Sequence, residues 1–243
     1  MIEIRHSGEK EALLSADYDK LYSEAEVKQH WASFFTWILD LIQPHPGKSL
    51  LDVACGTGLL LKQAQARNIA AIGIDFSATA VIQAQKHSPA LVSNGEKLPF
   101  ANRSFDYVVN LGSLEHFEDM AKGVQEMARV LKPDGKCCIL VPNTFGLLWT
   151  IWHAKNTGEI FDDGQPLQRY GTHAQWRRLL EENGLKVQRT VAYELPPPRT
   201  LEQFGFFLRH PKIHLTKLLL WRLIPLNLAS MFVFLCERQE NKV

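Results

Sequence analysis

Residues 50–61 read LLDVACGTGLLL, from Leu50 to Leu61. A short apolar run that stops in glycines and restarts with leucines predicts a buried strand, a tight turn and a helix. Outward from this stretch the same alternation continues. Strands are expected at 49–54, 70–74, 90–93, 105–110, 135–142 and 185–193. Helices are expected at 57–67, 77–86, 119–131 and 173–183. Strands separated by helices of this length imply a parallel sheet covered on both faces, a doubly wound α/β fold. Pro133-Asp134-Gly135 is a turn signal between one helix and the next strand. The final apolar stretch, 228–239, alternates like an edge strand with Phe232 and Phe234 on one face. Ahead of the alternation, 17–43 places Trp31, Phe34, Phe35, Ile38, Leu39 and Ile42 at helical spacing, and Pro44 ends the run.

Composition sets outer limits. The chain has 243 residues, 46% of them hydrophobic and 22% charged, which is the balance of a globular protein with a sizeable core. A net charge of +1 argues against a general nucleic-acid binder. Cys55, Cys137, Cys138 and Cys236 have no metal-ligand spacing and read as core residues in a reducing compartment, and no metal site is expected. The opening MIEIRHSGEKEALLS lacks the basic flank and apolar stretch of a secretion signal, so a cytoplasmic location is expected.

In an open parallel sheet, ligands bind beyond the carboxyl ends of the strands, and the first strand-to-helix turn is the usual place. Gly56 and Gly58 let the backbone approach a ligand without a Cβ in between. At the end of the second strand, 19 residues after Gly56, stands Asp75. A carboxylate there can accept both hydroxyls of an adenosine ribose. A dinucleotide fingerprint would need a third glycine at 61, where the chain has Leu61. Asp75 can also serve as the N-cap of the helix that follows.

With Asp52, Ala54, Gly56 and Gly58 on alternate positions, the stretch resembles the first motif of the class I S-adenosylmethionine-dependent methyltransferases. NGEKLPFANRSFDYVVNLGSLEHF (94–117) resembles that family's adenine-contacting loop and fourth strand. ARVLKPDGKCCILVPN (128–143) resembles the helix-turn-strand that follows, and WRRLLEENGLKV (176–187) the helix and sixth strand. The resemblance implies a Rossmann-like, seven-stranded, mostly parallel sheet with an antiparallel last strand, in one domain over 1–243. Within it, 1–46 would be a helical cover and 47–142 the cofactor-binding core. Residues 143–170 and 196–227 would be insertions, with 171–195 and 228–238 completing the sheet. The implied cofactor is S-adenosyl-L-methionine, contacted by Asp52, Ala54, Gly56, Gly58, Asp75, Phe76, Asn94, Gly95, Glu96 and Leu111. Asn94 stands where the family commonly has Asp; an amide carbonyl can still accept the adenine amino group.

The acceptor half is less legible. Branches that methylate base amino groups carry an Asp/Asn-Pro-Pro motif after the fourth strand, where this chain has Asn110-Leu111-Gly112-Ser113. The arginine-methylating branch carries two glutamates there, and Glu115 stands alone. A metal-dependent quinone branch carries Glu-x-x-Glu-His, and Gly112 occupies its first position. A small-molecule or lipid-like acceptor remains, methylated on oxygen, carbon or nitrogen. His116 is the candidate general base, with a helix-capping or packing role as its alternative, and Glu115 reads as a solvated or hydrogen-bonding residue. Tyr18, Tyr22, Trp149, Arg169 and Tyr170 are the candidate acceptor-binding residues, with Trp31, Phe145 and Trp152 as further aromatics. Arg169 would hold an anionic group on the acceptor or make a surface pair.

Residues 199–226 combine five Lys or Arg with one Glu and many large apolar residues. The apolar run is too short to span a bilayer. Its two readings are a lid over the sheet edge and a peripheral membrane contact. Two other functions compete with methyl transfer: a nicotinamide-dependent oxidoreductase, and a non-catalytic S-adenosylmethionine-binding protein at a membrane surface.

Overall fold

A computed structural model of the chain describes residues 1–6, 11–24, 31–194, 204, 205, 208 and 223–239. The basic apolar stretch 199–226 lies outside the described residues except for Phe204, Gly205, Leu208 and 223–226.

The strands in chain order are β1 (Ile2–Arg5), β2 (Ser49–Val53), β3 (Ala70–Asp75), β4 (Ala90–Val92), β5 (Phe105–Leu111), β6 (Leu131–Pro142), β7 (Leu167–Tyr170), β8 (Leu185–Tyr193) and β9 (Met231–Arg238). The helices are α1 (Glu11–Glu24), α2 (Ala32–Ile42), α3 (Leu59–Gln65), α4 (Ala78–Ala84), α5 (Met120–Val130), α6 (Trp152–Thr157) and α7 (His173–Glu182). Seven strands form one sheet in the order β4-β3-β2-β5-β6-β9-β8. β2 to β6 run parallel, and β9 pairs antiparallel with both β6 and β8. The order reverses between β2 and β5. That switch point is where an open α/β sheet parts its loops and leaves a crevice.

Alternation along each strand sends successive side chains to opposite faces, which explains two separate cores. Leu51, Val53, Val108, Ile139, Val141, Phe232 and Phe234 pack with Val124 and Met127 of α5 and Trp176 of α7. Leu50, Val109, Cys138, Leu140 and Val233 pack on the other face with Ile38 of α2, Leu60 of α3 and Val81 of α4. The four cysteines are buried and unpaired.

Three departures from the sequence reading have local causes. The expected helical cover of 1–46 begins with a strand: β1 pairs antiparallel with β7 in a separate two-stranded sheet, with Ile2 opposite Tyr170. The helical preamble of 17–43 is two helices, α1 and α2. Pro133-Asp134-Gly135 does not precede β6 but lies within it. The register with β5 passes from Phe105 opposite Leu131 to Tyr107 opposite Lys136, so the turn residues bulge out of the ladder.

Candidate active site

The turn between β2 and α3 has positive φ at three alternate residues: Ala54 (60°), Gly56 (53°) and Gly58 (81°). Glycine adopts this conformation freely; Ala54 adopts it against its own Cβ, at a cost of about 1–2 kcal/mol. A Cβ on Gly58 would come within 2.8 Å of the Ala84 backbone, and one on Gly56 within 3.0 Å of the Tyr22 hydroxyl. The turn is therefore wedged between α4 below and α1 above.

Asp75, 5% exposed, ties this turn to the end of β3. Gly56 N–H donates to its Oδ2 at 2.8 Å and Ser77 N–H to its Oδ1 at 2.9 Å. Burial pushes its carboxyl up to about 6, against the pull of those backbone donors. Asp75 is not the N-cap of α4; the Ser77 side chain accepts from Ala80 N–H instead. Asp52, 3% exposed, is pushed up to about 8 by burial and by the charge of Asp75, and it receives no hydrogen bond from the described residues. Two buried carboxyl groups thus flank one glycine turn, Asp75 held by two backbone donors and Asp52 by none among the described residues.

α1 is fastened over this region by polar contacts. The Asp19 carboxylate accepts from the Ser77 hydroxyl at 2.5 Å and from Thr79 N–H at 3.1 Å. The Ser15 hydroxyl donates to the Phe76 carbonyl at 3.3 Å. Tyr22, expected with the acceptor, lies instead on the glycine turn. On the third edge of the crevice, the Asn94 side-chain oxygen accepts from Glu96 N–H at 2.8 Å, so the amide expected to meet an adenine shapes its own loop first. The Gly95 position is crowded by the Phe117 ring, which leaves no room for a Cβ there.

At the end of β5, buried Asn110 ties the sheet to the loop that follows. Its Nδ2 donates to the Val53 carbonyl and its Oδ1 accepts from Leu114 N–H, both at 3.0 Å, so the last residue of β2 and the loop carrying Glu115 and His116 are held together. A polar residue inside the apolar run YVVNLG was the available signal for this role, since a buried amide must find partners. The His116 imidazole is pushed down by burial and is neutral at pH 7, and its Nδ1 faces the Leu167 carbonyl of β7. That contact fixes the proton on Nδ1 and leaves Nε2 as the ring's acceptor.

Glu115 departs from the solvated reading: it is 2% exposed, its Oε2 has no hydrogen-bond partner, and burial pushes its carboxyl up to about 8. Arg169, 7% exposed, commits its guanidinium internally. It donates to Glu3 Oε2 at 2.7 Å and to the Phe117 and Glu118 carbonyls. Trp149, in a π-helical turn over Leu147–Ile151, meets Phe161 and Tyr170 edge-on with centroids 5.1 and 6.3 Å apart. Phe145 and Trp152, grouped with it on sequence, are 52% and 38% exposed. No cluster of three or more His, Cys, Asp or Glu suited to a metal ion occurs among the described residues. None of their helices is long and apolar enough to cross a membrane.

Residues 51–139 match the family model described as "Methyltransferase domain". The chain is similar to the demethylmenaquinone methyltransferase of Corynebacterium kroppenstedtii, 34% identical over 100 residues, which is 40% of this chain and 43% of that protein. It is also similar to a human protein named Probable tRNA methyltransferase 9B, 32% identical over 105 residues, 42% of this chain and 23% of that protein. The chain thus spans less than half the length of either relative. In fold it resembles the [4+2]-cyclase SpnF, with a TM-score of 0.67 and 16% identity over 98% of this chain and 100% of that one. It likewise resembles an S-adenosylmethionine-dependent methyltransferase from Mesorhizobium loti, with a TM-score of 0.60 and 15% identity over 86% and 98%. The glycine turn, Asp52 and Asp75 all lie inside residues 51–139, the stretch that matches the methyltransferase-domain model.

Proposed function

We propose that the chain transfers a methyl group from S-adenosylmethionine to a small-molecule or lipid-like acceptor. The observation that carries this reading is the pair of buried carboxyls, Asp52 and Asp75, on either side of a glycine turn. Both are raised by burial, and both gain from a ligand that brings hydrogen-bond donors and positive charge. S-Adenosylmethionine fits that demand with two ribose hydroxyls, an amino group and a sulfonium. A dinucleotide pyrophosphate would instead bring negative charge toward two carboxylates, which disfavours the oxidoreductase reading.

Bound there, the cofactor supplies a methyl group already activated on sulfur. The chain's own task is then to hold donor and acceptor in line and to manage one proton. In this reading Asp75 accepts the ribose hydroxyls, Asp52 faces the amino-acid end, and the Ala54–Gly58 backbone turn makes room for both. The loop of Asn94, Gly95 and Glu96 borders the adenine, with Phe76 and Leu111 as apolar walls. His116, neutral with Nδ1 held by Leu167, presents Nε2 to an acceptor proton. Tyr18, Trp149 and Tyr170 line the acceptor side, and Arg169 keeps that side's scaffold together through Glu3 and the 117–118 backbone.

A nucleic-acid acceptor is the second reading, favoured by the tRNA methyltransferase relative. The net charge of +1 and the acidic residues Glu115, Asp162 and Asp163 on the acceptor side weigh against a polyanion. The deciding experiment is transfer of label from methyl-labelled S-adenosylmethionine to pooled small amines, phenols and quinols in one arm and to bulk tRNA in the other. Label in the small-molecule arm supports the proposal; label in tRNA alone overturns it.

A further inference from the structure

Five buried side-chain atoms among the described residues lack a hydrogen-bond partner: Tyr18 Oη, Glu115 Oε2, Thr144 Oγ1, Gln168 Oε1 and Tyr170 Oη. Such atoms are rare in folded proteins, and each marks a partner still to be supplied. Four of them gather on the acceptor side. Gln168 and Tyr170 are two apart on β7 and share one of its faces, and His116, next to Glu115, meets the Leu167 carbonyl, so the Glu115 turn lies against that strand. The charge of Glu115 acts on both tyrosines. Glu115, Gln168 and Tyr170 are 2%, 2% and 1% exposed, so bulk water does not meet their needs.

The chemistry of these atoms is one-sided. An amide oxygen only accepts, as does the Glu115 carboxylate once its proton has left, while the two hydroxyls can turn to suit an occupant. The electrostatics are one-sided as well. Asp163 acts on Tyr18, Glu115 and Tyr170, Asp162 on Tyr170, and Asp75 and Glu118 on Tyr18, so the largest charge effects on all three come from acids. Arg169, the nearby cation, has turned its donors to Glu3 and to backbone carbonyls. Burial and Asp163 both raise the Glu115 carboxyl, so a positively charged occupant would relieve it. Trp149 stands edge-on to Tyr170, and rings with acids behind them suit an ammonium group.

We propose that Glu115 and Gln168, walled by Tyr18, Trp149 and Tyr170, form a binding site for the amino group of an amine-bearing acceptor. The proposal rests on the methyltransferase reading and narrows its substrate class. Glu115 and Gln168 accept from the nitrogen, and the aromatic rings cover its remaining sides.

The test is calorimetric titration of the full chain with benzylammonium, benzyl alcohol and benzoate, each with and without S-adenosylhomocysteine. Benzylammonium is expected to bind at least about tenfold more tightly than either analogue, a gap of about 1.4 kcal/mol. Its binding enthalpy near neutral pH is expected to vary with the buffer's ionisation heat, because Glu115 releases its proton to the buffer as its carboxylate pairs with the incoming cation. Glu115→Gln, which keeps the shape of the side chain, is expected to remove both the preference and the buffer dependence while leaving S-adenosylhomocysteine affinity unchanged. Tyr170→Phe is expected to weaken benzylammonium about threefold by removing one hydroxyl. Equal affinity for the three probes, or a benzylammonium preference that survives Glu115→Gln, would overturn the proposal. Failure of S-adenosylhomocysteine to bind would count against the methyltransferase reading, and the probe series on the protein alone would still decide the amine site.

Discussion

The backbone N–H of Gly56 donates to Oδ2 of Asp75 at 2.8 Å, which joins the turn after β2 to the last residue of β3. The other oxygen of Asp75 takes Ser77 N–H, so each oxygen holds one backbone donor and keeps a lone pair for a ligand. Asp75→Ala therefore removes a structural tie and the proposed ligand contact together. Two buried backbone donors lose their acceptor, at about 1–3 kcal/mol each, and thermal unfolding is expected to fall by several degrees. S-Adenosylhomocysteine affinity is expected to fall at least about tenfold, measured by calorimetry below the new melting range.

Ala54 is the turn's one strained non-glycine residue, at φ 60°. Ala54→Gly relieves the left-handed penalty and adds some unfolded-state entropy. The net gain is expected to be about 0.5–1 kcal/mol, or roughly 1–4 °C in Tm for a chain of this size. An unchanged or lower Tm by calorimetry would show that the turn gains nothing from glycine at this position.

Raised carboxyls give the ligand-free protein a stability that depends on pH with a definite sign. Asp75 at about 6, and Asp52 and Glu115 at about 8, hold protons more tightly in the folded chain than in the unfolded one. Their contribution to stability is greatest when they are protonated. It is lost as pH climbs from the ordinary carboxylate range, about 4, through about 6 to about 8. Tm of the ligand-free protein is expected to fall across that window, and the fall is expected to be shallower in Glu115→Gln. S-Adenosylhomocysteine affinity is expected to run the other way, rising as Asp75 ionises and becomes the better acceptor.

The sheet was legible because its central strands are apolar runs buried on both faces, unbroken in Cys137–Val141 and interrupted only by Asp52 in Leu50–Val53. The cofactor side was legible because the Gly56, Gly58 and Asp75 spacing has a mechanical reason. The acceptor side was not, because it is assembled from distant segments. β1 is only four residues, IEIR, too short for its alternation to stand out, and its pairs with β7 run from Ile2 with Tyr170 to Arg5 with Leu167, across most of the chain. Glu115 and Arg169 are both buried for the same reason. Arg169 met Glu3 across that pairing, whereas Glu115 Oε2 met no partner among the described residues, and neither outcome can be read from neighbouring residues.

Arg169 is expected to act as the clasp of the N-terminal strand through Glu3 and the carbonyls of Phe117 and Glu118. In Arg169→Gln, hydrogen exchange of the β1 and β7 amides is expected to speed up by about tenfold or more, with β2 to β6 unchanged. Exchange that stays as slow as in the wild type would mean that the β1–β7 ladder holds without the clasp.

The central claim, a donor site built for S-adenosylmethionine around Asp52, the glycine turn and Asp75, is tested most directly by calorimetric titration. Wild type and Asp75→Ala would each be titrated with S-adenosylhomocysteine and, separately, with NAD. The account predicts one-to-one binding of S-adenosylhomocysteine by the wild type, no detectable heat with NAD, and an affinity at least about tenfold weaker in the variant. Binding of NAD in preference to S-adenosylhomocysteine, or equal S-adenosylhomocysteine affinity in the folded variant, would contradict it.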